Sequence, residues 1–309
     1  MKRRDALKCA ATLLAGTGFA SIVNRASALS NPPNSTRKRA SFPYLETNER
    51  TILFYKDWGR GEHVVLFVHG WPFHSDMWQY QMLHLASAGV RVIAYDQRGC
   101  GLSPDPGTGY DFDTLADDLA SVIEQLGLRK VVLVGHSIGT GQIVRYLSRH
   151  GSDRVSSIVL LSASLPYIQK SADNPDGVDP AHYEHWRASV RVDLPAWAAR
   201  AAKASAPQAS PEMVQWGMRM VEANSIWAMI QTNRVEVETD WRAELPKVRV
   251  RTLVVHGDAD TTCQIDTTGR RTAQLIPGAQ LKVYSGAAHA LFVTHSATFN
   301  NDLLAFVMT

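Results

Sequence analysis

Cysteine is scarce, with three in 309 residues. Cys9 lies near the start, after Lys8 and outside any lipoprotein cleavage box, which leaves Cys100 and Cys263 for the body of the chain. Two cysteines make no disulfide framework. Histidine, cysteine and carboxylate residues nowhere cluster at metal-ligand spacing, so neither a structural zinc nor any other metal is expected. Internal repeats, low-complexity tracts and heptad arrays are also missing. A basic surface is missing too, although the net charge is +3. Residues 1–28 carry Lys2, Arg3, Arg4, Lys8 and Arg25 against Asp5, a balance of +4, so the remainder stands at −1. The body therefore has no electrostatic footprint for DNA or RNA, and no nucleic-acid partner is expected.

Residues 1–28 have the form of an export signal. A positive start, MKRRDALK, precedes the mildly apolar CAATLLAGTGFASIV and an A-x-A cleavage pattern at Ala26-Ser27-Ala28. The apolar part is too short, and too rich in Gly, Thr and Ser, to anchor the chain across a bilayer. The pair Arg3-Arg4 before Ala6-Leu7-Lys8 marks a twin-arginine signal, a route for folded proteins, and predicts a periplasmic location. Residues 29–40, with paired prolines, form a linker.

The remaining length and a 45% hydrophobic content suit one large domain with ample core. Apolar runs at 64–70, 90–96, 130–135, 155–162, 250–257 and 279–286 are strand candidates. They are nearly continuous, as in strands covered on both faces. Helical spacing fills the gaps at 76–89, 111–127, 139–151 and 266–278, with Asp113 as N-cap and Gly127 as stop of the second. Such alternation predicts an α/β fold on a mostly parallel sheet. Residues 163–245 break the rhythm: they are helical, alanine-rich and proline-punctuated, and hold five of the eight tryptophans. They divide the α/β core (41–162 and 246–309) and predict a helical cap over the ligand-binding edge of the sheet. Most of the tryptophans are expected to glue helices together, with one or two lining a pocket.

Gly135-His136-Ser137-Ile138-Gly139 fits G-x-S-x-G between a strand and a helix. Glycines flank the serine where any Cβ would clash, and the helix that follows aims its N–H groups at the site. Ser137 is thus the candidate nucleophile. Serine needs a base, and the base needs an orienting acid. The loop after 250–257 offers Asp258 and Asp260. Asp260 lies further into the loop, where it can turn toward a histidine, while Asp258 suits the turn amides. The last strand leads to His289, the candidate base. His295 suits a cap of the last helix, His136 points elsewhere on the elbow, and His69 and His256 suit loop hydrogen bonding. An oxyanion needs two donors. One is the N–H of Ile138. In His69-Gly70-Trp71-Pro72 proline has no N–H, so the other is Trp71, and the following Pro bond has the cis form open to it.

These residues, with HGWPFHSDMWQYQ, YDQRGCGLS, NPDG, the stretch from Thr252 to His295 and FNNDLLAFV, resemble the cofactor-free haloperoxidase, or arylesterase/perhydrolase, family of α/β-hydrolases. The resemblance runs from about residue 48 to the end. It implies an eight-stranded, mostly parallel sheet with helices on both faces and an inserted cap, and places nucleophile, acid and base on Ser137, Asp260 and His289, with Trp71 and Ile138 as oxyanion donors. It implies no cofactor and a small or medium carboxylic ester or lactone as substrate, with hydrogen peroxide able to replace water. The family strand order puts Cys100 and Cys263 four strand spacings apart, roughly 19 Å at about 4.8 Å each, so both are expected to be free thiols. Two other readings stay open. A C–C bond hydrolase of ring-fission products would use the same triad with cap arginines such as Arg187 or Arg191, and a binding protein would use the fold without turnover. Aspartate-nucleophile epoxide hydrolases and dehalogenases share HGWP but not Ser137. A homo-oligomer is compatible with the sequence.

Overall fold

The computed structural model describes residues 43–309. The expected export signal, with Cys9, and the whole of the expected linker lie outside them. Eight strands, β1 (Tyr44–Glu46), β2 (Ile52–Trp58), β3 (Val64–Val68), β4 (Arg91–Tyr95), β5 (Val131–His136), β6 (Val155–Leu161), β7 (Arg251–Gly257) and β8 (Gln280–Tyr284), form one sheet in the order β1-β2-β4-β3-β5-β6-β7-β8. From β3 onward the neighbours are parallel; β2 is antiparallel to both β1 and β4. The six strands expected from apolar runs are all present.

Their near-continuous hydrophobicity has a direct cause. Val64, Leu66 and Val68 of β3 enter one core, while Val65 and Phe67 enter the other, and β4, β5 and β6 divide their side chains in the same way. Helices α1 (Gln79–Ser87), α2 (Phe112–Gln125) and α3 (Ile138–His150) follow β3, β4 and β5. Asp111, rather than Asp113, caps α2, accepting from Thr114 N at 2.9 Å. Asp113 lies in the first turn of α2 and pairs instead with Arg145 and Arg149 on α3. Gly127 follows α2 with φ +63°, the left-handed turn glycine permits.

Between β6 and β7 come α4 (Pro180–Val192), α5 (Leu194–Ser205), α6 (Pro211–Glu222) and α7 (Ile226–Glu238). Asp179, Asp193, Ser210 and Ser225 each cap one with a side-chain oxygen, and proline opens the first three. Their apolar faces meet around Leu194, Trp197, Val221 and Met229, and this cluster packs on Trp71 and Phe73 from the loop after β3. The chain ends with α8 (Gly269–Leu275), α9 (Leu291–Thr294) and α10 (Ser296–Val307). His295 occupies the N-cap position of α10, but its ring bonds Thr294 Oγ1 at 3.0 Å and caps nothing. Cys100 and Cys263 are both free. None of the described helices is long and apolar enough to cross a membrane.

One buried ion pair ties α2 to the loop after β4. Arg98 donates twice to Asp118, each bond at 2.8 Å, and both side chains are 2% exposed. Asp118→Ala leaves a buried guanidinium without its main partner. The expected loss is about 3–5 kcal/mol of unfolding free energy, read as a lower midpoint in urea denaturation. A midpoint equal to wild type would show that Glu49 and the Thr108 carbonyl, which also bind Arg98, suffice.

Candidate active site

The site is assembled from loops at the C-terminal ends of β3, β5, β7 and β8. Ser137 stands alone between β5 and α3, with φ 51° and ψ −121°. A residue with a Cβ is strained there, and the surroundings enforce the turn. A Cβ on Gly139 would come within 2.6 Å of the Val68 carbonyl oxygen, and one on Gly135 within 2.8 Å of the Gly139 backbone. The two glycines of the motif thus answer to close backbone approach.

Asp260 lies in the turn after β7, 4% exposed. Its Oδ1 accepts from Thr262 N and Cys263 N, both at 2.9 Å. Its Oδ2 lies 2.7 Å from His289 Nδ1. An ionised carboxylate can only accept, so Nδ1 carries the proton and Nε2 keeps its lone pair. Burial opposes charge on Asp260, but His289 and His256 more than offset it and hold the carboxyl well below its usual range. For His289, burial favours the neutral ring, yet the adjacent Asp260 and the nearby Glu236 raise its pKa above 6.5. Asp258 is exposed and accepts from Gly286 N at 2.6 Å, the turn role expected of it.

Two further histidines brace this arrangement. His256 Nε2 lies 2.7 Å from the Cys263 carbonyl and 3.3 Å from Asp260 Oδ2. Loop bonding was expected of it; contact with the acid was not. His136 Nε2 lies 3.1 Å from the His289 carbonyl, which ties the elbow to the loop of the base. His69 Nε2 accepts from Gln97 N at 2.9 Å.

Trp71 and Pro72 are joined by a cis bond. Among the described residues, no group accepts from the backbone N–H of Trp71 or of Ile138, which leaves both free for a ligand. Ser137 and His289 line one cavity with Trp71, of about 1040 Å³ including its mouth. Three of the five tryptophans of the 163–245 stretch, Trp186, Trp197 and Trp216, also line it. Trp241 sits instead in the sheet core, and Trp227 is exposed.

The Ser137 hydroxyl is not bonded to His289. Glu236 on α7, a residue that motif reasoning missed, lines the cavity with both of them. Glu236 is 6% exposed. Burial pushes its carboxyl up to about 7, against the pull of Ser164, His289 and Ser137. Its sequence signal is weak: Met229, Asn233 and Glu236 share the buried face of α7 at helical spacing. The arginines proposed for a substrate carboxylate stand elsewhere. Arg187 is buried against Asn233 and Glu184, and Arg191 is exposed.

Comparison with known proteins agrees with this architecture. The family profile described as alpha/beta hydrolase fold matches residues 63–296. The chain is 41% identical to the non-heme chloroperoxidase CPO-A1 of Kitasatospora aureofaciens, over 86% of this chain and 99% of that one. It is 35% identical to the bifunctional esterase/perhydrolase DCH of Acinetobacter calcoaceticus, over 85% and 99%. The solved esterase of Exiguobacterium antarcticum superposes with a TM-score of 0.83 at 30% identity, over 86% and 99%. With strand order, elbow and profile in agreement, the chain belongs to the alpha/beta hydrolase fold family.

Proposed function

We propose that this protein is a serine hydrolase of small to medium carboxylic esters or lactones, working through an acyl-enzyme. The observation that carries this reading is the 2.7 Å Asp260–His289 pair, whose histidine lines one cavity with a serine held at φ 51°. In this reading His289 Nε2 takes the Ser137 proton as Oγ attacks the carbonyl carbon. The N–H groups of Trp71 and Ile138 hold the oxyanion, and the protonated imidazole returns its proton to the leaving alcohol. Asp260 keeps the ring in the right tautomer and stabilises the imidazolium. Water, activated by the same histidine, then releases the acid. The names of the relatives, a chloroperoxidase and an esterase/perhydrolase, support a second outcome of that last step. Hydrogen peroxide attacking the acyl-enzyme gives a peracid and free Ser137, and the peracid oxidises halide without a redox cofactor. The pattern of residues 1–28 supports export, with the chemistry performed in the periplasm.

For ring-fission substrates, which carry carboxylates, the cavity offers little. Among its lining residues none is Lys or Arg, and one is Glu236. The deciding assay is hydrolysis of p-nitrophenyl acetate and butyrate across pH. His289 must be neutral to act as base, and its pKa is raised. The rate constant kcat/KM should therefore rise with pH through a midpoint above 6.5 and be lost in acid. Absence of turnover by folded protein would refute the reading. A midpoint below 6.5 would refute the role given to the Asp260 carboxylate.

A further inference from the structure

Glu236 is the one carboxyl among the lining residues of a cavity that is mostly aromatic and aliphatic, with Ser137, Tyr183, Asn233, Thr262 and His289 among its polar walls. A carboxylate buried in such surroundings is costly unless something of opposite charge or a set of donors meets it. Inside the protein, only Ser164, His289 and Ser137 favour its charged form, and burial outweighs them. Arg187, the nearest buried cation on α4, is committed to Asn233 and Glu184. Tyr183 and Cys263, which also face the carboxyl, bring no positive charge, and each is made harder to ionise by it. In the form that takes substrate, His289 must be neutral to act as base, so it offers the carboxyl no positive charge there. The carboxyl thus has room, and electrostatic reason, for a cation supplied by the substrate.

Its position says where on the substrate that cation sits. Glu236 and Ser137 line one cavity, the Ser137 hydroxyl favours the ionised form of Glu236, and the scissile carbonyl carbon must come within about 3–3.5 Å of the Ser137 oxygen. A group bound to Glu236 is therefore a neighbour of the carbonyl under attack, on the acyl side or close to it. We propose that Glu236 is a specificity-determining residue that binds the ammonium group of amino-acyl esters, with the nitrogen one or two carbons from the scissile carbonyl. The apolar, aromatic walls then take the side chain or the alcohol part, and Trp71, Trp186 and Trp197, packed at 5.2–5.5 Å between ring centres, suit a positively charged neighbour through their ring faces. This inference rests on the serine-hydrolase reading and narrows it to a substrate class.

The test uses ester pairs of one shape that differ in charge. Alanine benzyl ester is set against benzyl isobutyrate, and β-alanine benzyl ester against benzyl butyrate, a methyl group replacing the ammonium in each. Benzyl alcohol release is followed just above neutrality, with p-nitrophenyl acetate as the control for hydrolase activity. The expected result is a higher kcat/KM for at least one amino ester than for its neutral partner in wild type. A charge-assisted hydrogen bond, worth about 1.5–3 kcal/mol, corresponds to roughly 10- to 150-fold. In Glu236→Gln, which keeps the shape, that ratio should collapse toward one, and in Glu236→Leu it should invert. Preference of wild type for the neutral ester in both pairs would overturn the proposal without any variant being made. So would a ratio unchanged in Glu236→Gln, because the carboxyl would then serve Ser137 and not the substrate. Turnover of p-nitrophenyl acetate with no amino-ester preference sinks this inference alone, whereas no turnover of any ester sinks the hydrolase reading with it.

Discussion

Ser137→Ala is expected to lower kcat for p-nitrophenyl acetate and butyrate by about a millionfold, the scale seen when a triad nucleophile is removed. The variant should still fold. Alanine and serine share the Cβ that makes φ 51° a strained conformation, so the strain is unchanged, and the backbone bonds that hold the elbow do not use the hydroxyl. Ser137 N donates to the Leu161 carbonyl at 3.0 Å and its own carbonyl accepts from Thr140 N at 2.9 Å. The Ser137 hydroxyl favours the ionised form of Glu236, so the variant's carboxyl should become somewhat harder to ionise. A slow background above that of water is expected to remain, since the Trp71 and Ile138 N–H groups still stabilise an oxyanion formed by direct attack of water. The measurement is a steady-state assay on folded wild type and variant, with circular dichroism to establish the fold. Equal activity would remove Ser137 from the mechanism and with it the meaning given to the whole elbow.

The parts of this molecule that could be read from its sequence are those where one residue type is forced by local geometry. The central strands announce themselves because both faces of β3 to β6 are covered, so every position is apolar. The elbow announces itself because two glycines are required within ångströms of backbone atoms. β1 and β2 carry no such mark. β1 is three residues long, and β2, ILFYKDW, mixes buried and exposed positions and places Lys56 and Asp57 in ion pairs. Asp113 was expected to cap α2 because it precedes the apolar pattern closely, yet Asp111 has the extended backbone a cap needs, φ −73° and ψ 157°. Asp260 and His289 were legible through chain order and their loops. Glu236 was not, because it lies in RVEVE, a run that looks like a solvated face. Only the packing of α7 turns that glutamate inward. His256 escaped for a related reason: its distance to Asp260 is set by the turn between them, and four residues of sequence do not say whether a turn closes.

Asp260→Asn separates orientation from structure more cleanly than any other substitution here. The side chain keeps its shape, and its Oδ1 can still accept from Thr262 N and Cys263 N, the two 2.9 Å bonds that hold the turn. What changes is the partner facing His289. If the amide NH₂ takes the Oδ2 position, it donates toward Nδ1, the ring proton moves to Nε2, and the lone pair needed by Ser137 disappears. The expected fall in kcat is about 10⁴-fold, with the substrate KM little altered because Asp260 does not face the cavity. The pH profile should move as well. Wild-type His289 is raised above 6.5 against the effect of burial chiefly by the Asp260 carboxylate. Without that charge, burial prevails and the neutral ring is favoured, so the remaining activity should persist to lower pH than in wild type. His256, which also lies against Oδ2 at 3.3 Å, can rotate its bond wholly to the Cys263 carbonyl, so the loop has a way to accommodate the amide. A loss of tenfold or less would mean that the acid orients nothing that matters. An unshifted profile with the full loss would place the damage in geometry rather than charge.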